Sequence, residues 1–135
     1  MADTNILISA LLKEGVTRTL LDGLKEQVLI PTYALQESVK HLPGLAERMR
    51  IPLEVLHELL ILLAEEHPLI PQADIEPWLA KAREAMEGID LDDAFLVAAA
   101  LAADAAIWSD DNHVKRQTLV TTYTTAELLH VAGCG

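Results

Sequence analysis

The sequence predicts an α/β fold in which a mostly parallel central sheet is flanked by helices. Three observations predict it. Short apolar runs alternate with amphipathic helical stretches along the whole chain. The short runs are apolar throughout, as strands buried on both faces must be. Hydrophobic residues make up 51% of the 135, enough to bury a core within one domain spanning 1–135.

The elements follow in order. Met1 and Ala2 leave room for only a stub of a first strand before Asp3, and a helix begins near Asn5. Thr17 to Glu26 reads as a helix and Val28-Leu29-Ile30 as a strand. Thr32 to Leu42 is a helix, ended by Pro43-Gly44. Leu53, Leu56, Leu60 and Leu63 form one helical stripe, with Glu54, Glu58, Glu65 and Glu66 off it and Pro52 in the first turn. Pro68-Leu69-Ile70 is the next strand. Ile75 to Glu87 is a helix with Pro77 near its start and Gly88 at its stop. Asp92 to Ala103 is an alanine-rich helix, followed by the strands Ala106 to Ser109 and Leu119 to Tyr123. A last short helix opens at Thr125-Ala126-Glu127-Leu128-Leu129.

Charge and composition exclude several function classes. A net charge of −11 excludes a basic nucleic-acid-binding face over the whole surface. Phosphate binding must then rest on a few local cations or on metal ions. The single cysteine, Cys134, makes neither an internal disulfide nor a cysteine zinc site. His41, His57, His67, His113 and His130 lack the paired helical spacing of a zinc site. Ser9, Ser38 and Ser109 lack the flanking glycines of a nucleophile elbow. The acidic start Met1-Ala2-Asp3 is no signal peptide, and no apolar run is long enough for a bilayer, so a cytoplasmic protein without membrane contact is expected.

The acids carry the functional signal. In a parallel α/β sheet, strand C-termini and helix N-termini share one edge, where ligands bind. Asp3 ends the first strand, Asp110 and Asp111 follow another, Asp92 and Asp93 open a helix, and Glu37 lies early in the helix after Val28-Leu29-Ile30. All fall on that edge. Convergent carboxylates without a matching histidine or cysteine set favour Mg²⁺ or Mn²⁺.

Each acid also has an ordinary structural role open to it. Asp92 or Asp93 suits an N-cap, as does Asp3 before the first helix. Asp110-Asp111-Asn112 is normal turn composition. Glu37 reads as a solvated residue paired with His41, four positions on. Lys115-Arg116 reads as a solvated turn, or as a grip on a substrate phosphate beside the metal. Singly these readings are the simpler ones; together they leave the shared edge as a coincidence.

Four stretches in this order resemble the PIN domain family of nucleases: Asp3-Thr4-Asn5-Ile6-Leu7-Ile8, Leu35-Gln36-Glu37, Asp92-Asp93-Ala94-Phe95, and Ile107-Trp108-Ser109-Asp110-Asp111. The resemblance implies a three-layer Rossmann-like sheet and a Mg²⁺- or Mn²⁺-dependent ribonuclease. It matches Asp3, Glu37, Asp93 and Asp111 to the four catalytic acids, with Asp3, Asp93 and Asp111 as metal ligands. Asn5, Asp92 and Ser109 become supporting residues. His113 stands where many members carry a further acid, so the resemblance supplies no fifth carboxylate. It further implies an RNA substrate, a homodimer, and a small antitoxin partner if the chain is a toxin. The rivals are a binding module that keeps the fold without turnover, and a metal-dependent phosphatase.

Overall fold

Three backbone hydrogen bonds set segment 1–3 at the centre of the molecule. In the computed structural model, which describes residues 1–12, 15–24 and 27–131, the Ala2 N–H donates to the Leu29 carbonyl (2.9 Å). On the other side, the Trp108 N–H donates to the Met1 carbonyl (2.8 Å) and the Asp3 N–H to the Trp108 carbonyl (3.1 Å). Ala2 thereby bridges Trp108 in parallel. The expected stub is present, as one bridge rather than a full strand.

On either side lies a pair of two-residue parallel strands. β1 (Ile30–Pro31) pairs with β2 (Leu69–Ile70), and β3 (Ile107–Trp108) pairs with β4 (Thr122–Tyr123). Each falls inside or beside a run expected as a strand, but shorter. For Leu119 to Tyr123 the cause is Gln117, which is buried. Its side-chain oxygen accepts from the Leu119 and Val120 N–H groups, and its Nε2 donates to the Val120 carbonyl. The backbone there is bonded locally and leaves the ladder.

Helices α1 (Thr4–Leu12) and α2 (Val16–Leu24) open the chain, with Lys25 and Glu26 of the expected second helix outside the described residues. α3 (Thr32–Met49) corrects an expectation: it runs through Pro43-Gly44 for another turn and more. An interior proline loses a hydrogen bond and strains the preceding turn. Here Leu42 and Leu45 are buried on either side of it and hold the helix to the core, while Pro43 and Gly44 face solvent. Arg50, with φ 56°, ends the helix in a left-handed cap.

α4 (Leu53–Glu65) buries Leu56, Leu60 and Leu63 of the expected stripe, with Leu53 half-buried at its start. The helix expected over 75–87 is broken into α5 (Gln72–Ile75), a 3-10 turn at Glu76–Trp78, and α6 (Leu79–Met86). Pro77 marks the break: Glu76 keeps right-handed helical angles, but proline has no N–H to donate to the turn before it, and the backbone there is 3-10. Gly88, at φ 76°, takes the positive angle that closes this segment. A 3-10 turn (Leu91–Asp93) leads into α7 (Ala94–Ala103), which buries six of its ten residues and packs on α5 and α6. Its alanines let neighbours approach closely from all sides. α8 (Asn112–Lys115) stands where a turn was expected, and α9 (Thr125–Val131) follows β4.

The buried side chains form two clusters, one around α1, α3 and α4, the other around α7. Among the described residues no helix is long and apolar enough to cross a membrane.

Candidate active site

The fold brings Asp3, Asn5, Glu37, Asp92 and Asp93 to the walls of one open cleft of about 600 Å³. Residues that sequence reasoning did not single out line it too: Tyr33, on the same face of α3 as Glu37, and Phe95 on α7. The i,i+4 spacing of Tyr33 and Glu37 was the available signal.

Asp3 is the most constrained acid. Its Oδ2 accepts from the Ser109 hydroxyl at 2.7 Å, across 106 residues of sequence. Ser109 is fully buried at the end of β3, and its Oγ accepts in turn from the Asp111 N–H (3.1 Å). Burial raises the Asp3 pKa; the Ser109 hydroxyl and the Asn5 and Thr4 N–H groups oppose that, and the Asp111 charge adds to it. Asn5 therefore supports Asp3 through its backbone.

Asp93 sits at the joint between the 3-10 turn and α7 and makes no capping bond. That duty falls to Asp90, whose Oδ1 accepts from the Asp92 N–H (3.0 Å). Among the described residues, Asp93 Oδ2 is buried without a hydrogen-bond partner. Burial, then the charges of Asp111, Asp90 and Asp3, push its pKa up to about 6.

Asp111 does not line the cleft. It caps α8, with Oδ1 accepting from the His113 N–H (2.8 Å). Its charge nevertheless acts on both Asp3 and Asp93. His113 bridges the two acidic turns, with Nδ1 3.6 Å from Asp90 and 3.9 Å from Asp111. Asp110 turns away: its two oxygens accept from the Thr125 N–H and hydroxyl, both at 2.7 Å. Glu37 pairs with Lys40 (2.8 Å) in place of the expected His41, although His41 also lines the cleft. Lys115 is engaged by Glu127 and the Thr122 carbonyl.

Among the described residues no three acidic, histidine or cysteine side chains gather tightly enough to grip one ion. The donor chemistry still suits a hard divalent cation. Asp3 and Asp93 face one cleft with carboxylate oxygens, and the buried Asp93 Oδ2 is an acceptor with no donor. Such an atom is costly unless a donor or cation meets it.

The family model described as PIN domain matches residues 1–130. The chain belongs to the PIN domain family. No curated protein matches the sequence. PIN domains are in general nucleases, a class of hydrolases, and generally use divalent metals. The stretches that carry the PIN resemblance all lie within the matched residues.

Proposed function

We propose that this PIN domain is a Mg²⁺- or Mn²⁺-dependent endoribonuclease. The observation that carries the reading is Asp93 Oδ2, a buried acceptor left without a donor because Asp90 does the capping. Asp3, Asp93 and Asp111 would hold the cation, with Asp111 turning from its cap. Bound there, a divalent ion supplies an acidified water and charge neutralisation at the phosphate. Ser109 fixes the Asp3 carboxylate, and Asn5 and Asp92 support the rim of the cleft. Glu37 accepts a proton from the attacking water or orients it for in-line attack on phosphorus. No covalent enzyme intermediate is needed.

The same reading takes segment 1–3 as the central strand of a three-layer Rossmann-like sheet within one cytoplasmic domain. It carries a homodimer and a small antitoxin protein as the proposed partners. Val55, Leu59 and Leu62, exposed along one face of α4, offer an apolar surface for protein contact.

The test is cleavage of an end-labelled RNA with Mn²⁺, with chelator, and with Mn²⁺ restored. Cutting that follows the metal is expected. Cutting that survives chelation overturns the metal mechanism. Hydrolysis of an aryl phosphate with no cutting of RNA would make the chain a phosphatase, and no turnover of either would make it a binding module.

A further inference from the structure

Tyr33 brings a neutral donor into a cleft lined by acids. Its ring packs against Phe95, centroids 5.5 Å apart and planes tilted by 47°, which ties α3 to α7 across the cleft. This chain has five aromatic residues, and two of them meet here. The Tyr33 hydroxyl makes no hydrogen bond among the described residues. Tyr33 is half-buried and lines the open cleft, so its O–H is available to whatever enters. Burial first, then the Asp3, Asp93 and Glu37 charges, hold its pKa far above the ordinary phenol range, so the proton stays on. An ionised carboxylate can only accept. A phosphodiester entering the cleft also brings only acceptor oxygens on its phosphate. It needs neutral donors that do not pair off with the acids, as a lysine would and as Lys40 does with Glu37.

We propose that Tyr33 is a phosphate-binding residue of the cleft, its hydroxyl donating to a non-bridging oxygen of the RNA phosphodiester. The proposal rests on the nuclease reading above. The Phe95 contact holds the ring so that little side-chain freedom is lost when the bond forms.

Tyr33→Phe tests it, because the ring and its packing remain and only the donor goes. We expect kcat/KM for RNA cleavage to fall about 100-fold, the scale for removing one preorganised donor. Mn²⁺ affinity by calorimetry and the melting temperature should match the wild type, and Tyr123→Phe, remote from the cleft, should change nothing. Wild-type cleavage by Tyr33→Phe overturns the role of Tyr33 alone. Loss of Mn²⁺ binding in Tyr33→Phe also overturns it, since the hydroxyl then serves the cation. A wild-type chain that neither binds Mn²⁺ nor cuts RNA overturns the nuclease reading and this inference with it. A second measurement needs no variant: the ¹³Cζ resonance of Tyr33 in the wild-type chain should move on adding a DNA oligonucleotide with Ca²⁺. A resonance that stays in place overturns the contact.

Discussion

Two acidic turns flank the alanine-rich helix α7, and they spend their carboxylates differently. In the turn after β3, Asp110 holds the start of α9 and Asp111 holds the start of α8, so both acids have backbone donors. In the turn before α7, Asp90 alone caps, and Asp93 keeps a buried oxygen with no donor. Composition is nearly the same in both. Among the described residues, what separates Asp93 from the capping acids is that no N–H meets its buried oxygen.

The largest expected effect comes from removing the charge at the unclaimed acid. Asp93→Asn should lower RNA cleavage by more than about 100-fold, beyond the 10- to 100-fold typical of losing only a supporting partner. Its metal-free stability should hold or rise slightly, because one repelling charge is gone. Asp22→Asn, in a solvent-exposed pair with Arg18, is the control and should cut normally. If Asp93→Asn cuts RNA at the wild-type rate, the two turns do not differ in function.

Cation binding comes next. At a hundredfold excess over its dissociation constant, Mn²⁺ should stabilise the fold by about 2.7 kcal/mol. Thermal melts of chelated protein with and without Mn²⁺, at matched ionic strength, check this. The rise should shrink in Asp93→Asn.

Asp110→Ala should do the opposite. It strips a cap from α9 and should cost about 1 kcal/mol of stability in a denaturant melt, with cleavage per folded molecule unchanged. A large loss of cleavage without loss of stability would place Asp110 in the site.

The smallest effect is a slope with pH. The folded-state pKa of Asp93 lies above its unfolded value, so protonation favours the folded state. Metal-free stability from this group is therefore present below about pH 4 and lost as the pH rises to about 6. Denaturant melts across that window should show the slope, and Asp93→Asn should flatten it. Mn²⁺ affinity should climb over the same window, since a ligand oxygen must be ionised.

Much of this was legible in the residues. Helical periodicity and short apolar runs place every strand inside or beside an expected run, and the shared edge of strand ends and helix starts anticipates that Asp3, Glu37, Asp92 and Asp93 line one cleft, though not that Asp111 caps α8 outside it. The lengths were not legible. Gln117 shortens one strand through bonds to its own neighbourhood, and α3 crosses Pro43 because Leu42 and Leu45 hold it from both sides. Nor was the division of labour among the acids. Asp90, Asp92 and Asp93 are interchangeable as capping residues by type, and only the backbone path decides which one meets an N–H. Glu37 had two partners within a helical turn, Lys40 and His41, and Lys40 reached it.

The Ser109 hydroxyl has one proton and spends it on Asp3, which makes the site a late event in the life of the chain. Asp3 and Ser109 lie 106 residues apart, and the bonds beside them join Met1 and Asp3 to Trp108. Such distant partners meet only after the intervening chain has closed its loop, at an entropic cost that local helices do not bear. A half-folded chain therefore has helices without its acid cleft. Hydrogen exchange should show it: the Asp3 and Trp108 amides should open only with the whole fold, while the α9 amides exchange through local fraying.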